Sequence, residues 1–159
     1  MQRSFLQSYF EAFGTIEGWF SYDAALMFMA YNHLLAAAGI RGDALEIGVY
    51  HGLSAIGVAS LRRPGGKFYA IDLFEHLQPD TGYGSGAGYR RIFEDNMKSF
   101  YGDLDFVVPI ASASGTLRAQ DFAPSFSFCH VDGGHSPGET YEDMNFASEI
   151  LIPGGLLAL

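Results

Sequence analysis

The sequence predicts an α/β fold in which helices cover both faces of a parallel sheet. From residue 43 onward, short apolar segments alternate with segments of helical periodicity. Parallel neighbours need a crossover between them, and this alternation supplies one each time. The strand segments are almost continuously apolar, which is typical of strands covered on both faces. The predicted strands are 44–47, 68–71, 106–110, 126–131 and 156–159, and the helices after residue 43 are 53–61, 89–100 and 139–151.

The length of 159 residues fits one compact domain. With 48% hydrophobic and only 17% charged residues, the composition excludes a disordered chain or a coiled coil. We expect residues 1–42 to form an N-terminal helical segment and residues 43–159 to form the sheet domain. The apolar run 24–40 has helical spacing, with Ser21 or Asp23 as candidate N-caps and Gly39 in a left-handed position at its end.

The charge balance restricts the partners. Nine Lys and Arg against eighteen Asp and Glu give a net charge of −9, which opposes binding to nucleic acid and to anionic membrane surfaces. The run 24–40 is interrupted by polar residues and is too short to span a membrane. The single cysteine, Cys129, cannot form an internal disulfide, and residues 1–5 lack the apolar stretch of a signal peptide. These features favour a cytoplasmic protein.

Ligands of such sheets bind at the carboxyl ends of the strands. The first strand runs into the segment LEIGVYHGLS, residues 45–54, in which Gly48 and Gly52 allow a ligand to approach the backbone closely. The spacing G-x-x-x-G differs from the G-x-G-x-x-G that seats a dinucleotide pyrophosphate. Glu46 would repel a pyrophosphate but could hold an ammonium group, directly or through water. Alternatively, the glycines form an ordinary turn, and nearby backbone amides satisfy Glu46.

The second and third strand ends carry weaker signals. Asp72, at the tip of the second strand, could accept hydrogen bonds from both hydroxyls of a ribose, or it could cap the following turn. A ribose contact would not distinguish NAD from S-adenosylmethionine. Ser112 and Ala113 follow the third strand, and their small side chains would leave space for a flat ring, although an ordinary serine-rich turn is equally consistent.

The fourth strand end places Asp132 and His135 on either side of two glycines. A carboxylate there could ligate a hard cation, and an imidazole could act as a general base. His130 alternates within the strand, which predicts a buried, hydrogen-bonded side chain, and Cys129 is expected in the core. The glycine-rich segment 82–88 is predicted to be a mobile loop.

With these residues in view, segment 45–54 resembles the first motif of class I S-adenosylmethionine-dependent methyltransferases. The segments 131–136, 139–143 and 151–155 resemble the fourth-strand, helix and fifth-strand signature of their small-molecule O-methyltransferase branch, which includes macrocin-type and catechol-type enzymes. The resemblance covers about residues 43–159. It implies a Rossmann-like fold, S-adenosylmethionine as the cofactor and methylation of a small hydroxylated molecule.

The resemblance also implies roles for individual residues. By position, the residues at the methionine end of the cofactor would be Glu46, Gly48, Val49, Tyr50, Gly52 and Ser54. Asp72 would hold the ribose. Ser112 and Ala113 would lie near the adenine, with a slip onto Ser114 as the alternative. In metal-using members an aspartate at the position of Asp132 binds magnesium, and in macrocin-type members a histidine like His135 is the candidate base.

One departure from the family concerns the end of the chain. The family continues after the fifth strand with further acidic metal ligands and two strands, so we expect a sheet truncated at Leu159 and an incomplete metal site. Two other functions stay open. A nicotinamide-dependent oxidoreductase is permitted by Asp72 but opposed by the glycine spacing and Glu46, and a non-catalytic cofactor-binding module is the second alternative. The apolar N-terminal helix makes a homodimer conceivable.

Overall fold

The structure, a computed structural model, describes residues 4–75, 88–123 and 125–159. Its helices are α1 (Phe5–Ala12), α2 (Tyr22–Ala37), α3 (Leu53–Ala59), α4 (Tyr89–Tyr101) and α5 (Pro137–Ile150). Its strands are β1 (Asp43–Ile47), β2 (Phe68–Asp72), β3 (Val107–Ala111), β4 (Phe126–Val131) and β5 (Leu151–Ala158). Apart from Gly88, the segment predicted to be a mobile loop lies outside the described residues.

The strands form one parallel sheet with the order β3-β2-β1-β4-β5. This confirms the predicted α/β class. Strand β1 is central: Ile47 at its end lies beside Ile71 of β2 and Val131 of β4. Strands β2 and β3 extend the sheet on one side of β1, and β4 and β5 extend it on the other. The carboxyl ends of β1 and β4 therefore flank the topological switch point, where this type of sheet binds ligands.

The sheet separates two apolar clusters, which confirms helices on both faces. The larger cluster packs α1, α2, α3 and α4 against side chains such as Ala44 and Phe128. The smaller cluster packs α5 against the opposite side, including Leu45 and Ile47. Since side chains alternate along a strand, Glu46 faces the same side as Ala44, toward the larger cluster.

The residues predicted to cap α2 do so in the structure, although the helix boundaries differ from the predicted ones. The Ser21 hydroxyl accepts a hydrogen bond from the Ala24 amide at 3.1 Å, and Gly39 adopts a φ of 72° after α2. Helix α5 starts at Pro137, earlier than predicted, because Ser136 and Glu139 form a capping box.

The predicted start of β5 at residue 156 is wrong, since the strand begins at Leu151. The sequence Pro153–Gly154 argues against a central strand. Here it lies in the end strand of the described sheet, where the pairing register shifts between Phe126 and Phe128.

The N-terminal helices pack directly on α3. The Tyr9 hydroxyl, fully buried, donates a hydrogen bond to the Leu53 carbonyl at 2.9 Å. Gly57 makes this approach possible, because a Cβ atom there would lie 2.6 Å from the Tyr9 hydroxyl oxygen. The division of the chain at residue 42 stays a prediction. None of the helices in the described parts of the chain is long and apolar enough to span a membrane.

Candidate functional site

The turn between β1 and α3 contains three residues in the left-handed region. Gly48, Tyr50 and Gly52 have φ angles of 86°, 45° and 94°. Gly48 also lies directly against the backbone that follows β4. A Cβ atom on this residue would lie 2.1 Å from the Asp132 carbonyl oxygen. A Cβ atom at Gly52 would lie 3.1 Å from the Phe93 ring. Both glycines are therefore required by the backbone, for conformation and for space.

The Asp72 carboxylate holds this turn in place. Its Oδ2 accepts hydrogen bonds from the backbone amides of Val49 and Tyr50, each at 2.9 Å. Its Oδ1 accepts one from the Phe74 amide at 2.9 Å. Asp72 thus caps the turn after its own strand, as the alternative interpretation has it, and also ties β2 to the β1–α3 turn. A carboxylate has about four acceptor positions, so one stays available for a ligand.

Two adjoining cavities open at the carboxyl edge of the sheet. The first has a volume of about 520 Å³ and the second about 460 Å³, which suits small-molecule sites. Both are lined by Gly48, Asp72, Leu73, Gly133 and His135. Of the other predicted site residues, Ser112 and Ala113 line the first cavity, whereas the second is lined by Val49, Tyr50, Ser54 and Asp132.

Asp132 and His135 meet at the mouth of the second cavity. Partial desolvation raises the pKa of Asp132, whereas the positive charges of His130 and His135 would favour its carboxylate. Asp132 is exposed to solvent, which weakens these effects. His135 is exposed as well and lines both cavities, so its imidazole can reach a ligand at their junction.

Glu46 and Gly52 line neither cavity. Glu46 is fully buried, and its Oε1 lies 2.7 Å from His130 Nδ1. Its Oε2 has no hydrogen-bond partner in the described structure, although the nearby Ser54 hydroxyl favours the charged carboxylate. The expectation that Glu46 contacts a bound ammonium directly is therefore wrong. Side-chain alternation along β1 turns Glu46 toward α2 and away from the cleft. The prediction that His130 is buried and hydrogen-bonded is confirmed.

The Glu46–His130 pair holds a proton firmly. Burial raises the pKa of Glu46. Burial alone would lower the pKa of His130, but the hydrogen bond and the charge of Glu46 outweigh it and raise that pKa. Phe20 and Phe28 pack edge-on against the His130 ring, at centroid distances of 6.0 and 5.0 Å. The pair is a buried link between β1 and β4.

Part of the cavity wall comes from residues that carry no sequence motif. Residues 17–20, between α1 and α2, reach the second cavity together with Tyr89 of α4. No motif marks these residues, because they come from different chain segments. Leu73 could have been found, since it follows Asp72 at the strand end. Asp143, which is buried on α5, interacts with the Ser114 hydroxyl and the Gly134 amide below the cavities.

The described residues do not fit a metal centre. None of them gather in a group of three or more His, Cys, Asp and Glu side chains suited to a metal ion. Asp132 is thus a single carboxylate without partners of the kind that hard cations require.

A parallel sheet with the order β3-β2-β1-β4-β5 and cavities at the carboxyl edge of its switch point is a Rossmann-like ligand-binding domain. The chain belongs to the family described as "Methyltransferase domain", whose profile matches residues 45–159. Comparison with curated protein sequences gives no match.

Solved structures share the fold. The O-methyltransferase TomG from Streptomyces achromogenes, which is involved in tomaymycin synthesis and was solved with SAM, matches with a TM-score of 0.63 and 20% identity, over 99% of this chain and 65% of that one. The O-methyltransferase NovP matches with a TM-score of 0.62 and 17% identity, over 84% of this chain and 62% of its own. A candidate rRNA methylase from Clostridium thermocellum matches with a TM-score of 0.53 and 17% identity, over 73% of this chain and 60% of that one. The chain spans about 60–65% of the length of these structures.

The close passage of Gly48 under β4 gives a first prediction. Gly48→Ala should weaken binding of S-adenosylhomocysteine at least tenfold, since the new methyl group collides with the Asp132 carbonyl and displaces the turn. Gly65→Ala is the control: Gly65 also has a positive φ, of 72°, but nothing lies near its Cβ position. Calorimetric titration measures both. Equal losses in the two variants would show that backbone strain alone is responsible.

The buried pair gives a second prediction, for stability. Because the native pKa of His130 is raised above its ordinary value of 6.5, the stabilisation is complete below that pH and is lost as pH rises. As pH rises above about 6.5 the free energy of unfolding should fall, by at most about 1.4 kcal/mol per pH unit, until His130 has lost its proton. In Glu46→Gln the hydrogen bond and charge that raise the His130 pKa most are removed, and burial and the smaller effect of Asp132 remain, so this fall should shrink or reverse. Urea unfolding measures it, and parallel pH profiles for both proteins would contradict the coupling.

Proposed function

We propose that the protein transfers a methyl group from S-adenosylmethionine to a hydroxyl of a small molecule. The observation that carries the proposal is the junction of the two cavities, where Gly48, Asp72 and His135 meet. One cavity offers polar and small residues to a nucleoside. The other combines a carboxylate and an imidazole with aromatic walls, which suits an acceptor beside the reacting methyl group.

The cofactor fits the residues as follows. The free acceptor position of Asp72 would take a ribose hydroxyl, and Ser112 and Ala113 would border the adenine in the first cavity. The methionine end would lie along Gly48, Val49 and Ser54 in the second cavity, with its ammonium near Asp132. The local charge supports this placement, since Asp72 and Asp132 attract the cationic donor and would repel a diphosphate.

The reaction needs alignment and removal of one proton. Bound S-adenosylmethionine supplies an electrophilic methyl group, whose bond to sulfur breaks as the bond to the acceptor oxygen forms, leaving a neutral thioether. His135 accepts the hydroxyl proton as the oxygen attacks. The Asp132 carboxylate, which interacts with His135, stabilises the resulting imidazolium. The turn fixed by Asp72 keeps donor and acceptor in line.

Magnesium, suggested by the family resemblance at Asp132, stays a separate question. No step above passes through a metal, because Asp132 stands alone as a ligand among the described residues. The glycine spacing and the acidic cleft speak against nicotinamide. A non-catalytic module would bind the cofactor but transfer no methyl group.

The remaining expectations are part of the same proposal. The net charge of −9 supports a small-molecule partner and opposes nucleic acid and membranes. The unpaired, buried Cys129 is consistent with a reducing, cytoplasmic compartment. A homodimer stays a prediction, for which the exposed Leu26, Met27 and Leu34 of α2 are the expected contact. Light scattering of the purified protein would measure its mass.

A calorimetric titration tests the cofactor. We expect S-adenosylhomocysteine to bind with a micromolar dissociation constant, on the order of −8 kcal/mol, and NAD to bind at least 100-fold more weakly. The titration is repeated with magnesium. An unchanged affinity agrees with a metal-independent cofactor site. Tighter binding in the presence of magnesium would support Asp132 as a magnesium ligand. Equal binding of NAD would refute the proposed function.

His135 is tested by methyl-transfer activity. His135→Ala should lower kcat roughly 10²- to 10⁴-fold with a hydroxylated acceptor and leave the affinity for S-adenosylhomocysteine nearly unchanged. His33→Ala is the control, because His33 is exposed on α2 and lines neither cavity. An unchanged rate in His135→Ala would remove this histidine from the mechanism.

A further inference from the structure

The second cavity has an aromatic wall where the β1–α3 turn faces the segment between α1 and α2. The Trp19 side chain is 85% exposed, and its ring lies 5.4 Å from that of Tyr50. Tyr89 meets Tyr50 nearly perpendicularly, at a centroid distance of 5.1 Å. Behind them, His51 stacks on Tyr50 at 3.8 Å. The faces of such rings carry negative electrostatic potential, so they attract cations.

A carboxylate lies at the same wall. Glu17, whose side chain is 70% exposed, lines the second cavity beside Trp19. The Glu17 Oε2 is 3.7 Å from His51 Nδ1, and the Tyr50 hydroxyl donates a hydrogen bond to the Glu17 carboxylate. Burial lowers the pKa of His51, so at neutral pH this imidazole does not neutralise Glu17. The Glu17 carboxylate is thus positioned by Tyr50 and His51 and still has acceptor positions for a ligand.

The charges around the cavity all favour a cation. Its acidic lining residues are Glu17, Asp72 and Asp132, and among the described residues no Lys or Arg lines either cavity. Arg90 follows Tyr89 in the chain, but its Nε lies 2.8 Å from Glu94 and its guanidinium lies over the Phe74 ring. An acceptor bearing a phosphate or a carboxylate would meet the Glu17 carboxylate with no lysine or arginine of the described residues beside it in the cavity.

We propose that Glu17, with the rings of Trp19, Tyr50 and Tyr89, forms a recognition site for an ammonium group, so that the methyl acceptor is a hydroxylated molecule carrying a basic amine. This inference rests on the proposed function and narrows its substrate class. The amine binds at the outer wall, and the hydroxyl points inward toward His135. Acceptors tethered to anionic carriers are excluded by the same charges.

Trp19 provides the readout. It is the single tryptophan of the chain, so its fluorescence reports on this wall alone. Three matched phenols are titrated with and without saturating S-adenosylhomocysteine: tyramine as the cation, 4-ethylphenol as the neutral probe and 3-(4-hydroxyphenyl)propanoate as the anion. Tyramine should bind roughly tenfold more tightly than 4-ethylphenol, and the propanoate more weakly still.

Glu17→Gln decides whether the carboxylate is responsible. In this variant the preference for tyramine over the propanoate should fall to about threefold or less, with S-adenosylhomocysteine affinity unchanged. Glu149→Gln, an exposed position on α5, removes the same charge elsewhere and should keep the full preference. No binding of tyramine, no charge preference, or a preference that survives Glu17→Gln overturns the proposal. Failure of S-adenosylhomocysteine to bind would count against the proposed function alone, because the charge preference is read separately from Trp19.

Discussion

The hydrogen bonds from the Val49 and Tyr50 amides to the Asp72 carboxylate are the constraint on which the site depends. They fix a turn in which three residues have left-handed conformations, one of them the non-glycine Tyr50. Strain of this kind persists only where surrounding contacts impose it. The turn in turn sets the floor of both cavities, since Gly48 lies at their junction. A single carboxylate thus shapes the site and leaves one acceptor position for a ligand.

The second structural link is the buried Glu46–His130 pair, which joins the two strands flanking the switch point. A buried carboxylate without its partner would be costly, so each residue requires the other. The pair connects the core beneath α2 to Asp132, one residue beyond β4 and electrostatically coupled to both Glu46 and His130. The buried pair and Asp132 at the cavity therefore lie close enough to affect one another's charges.

Family membership and the acceptor are decided by different parts of the molecule. The matched region, 45–159, contains the sheet and the cofactor edge. Residues 17–20 lie outside it and form much of the wall around the second cavity. The structures that share the fold include O-methyltransferases and a candidate rRNA methylase, so the fold by itself does not choose an acceptor. In our proposal, the charges and rings of that wall select the acceptor.

The class of sheet, most helices and the strand-end positions of Asp72, Asp132 and His135 could be predicted from the sequence, because they follow from local periodicity and from chain order. The burial of His130 could be predicted in the same way. The orientation of Glu46 away from the cleft, the hydrogen bonds of Asp72 to the neighbouring turn, and the contacts of Glu17 and Trp19 with Tyr50 are seen only in the folded chain. Those facts depend on which distant segments pack together, and no spacing along the chain encodes that.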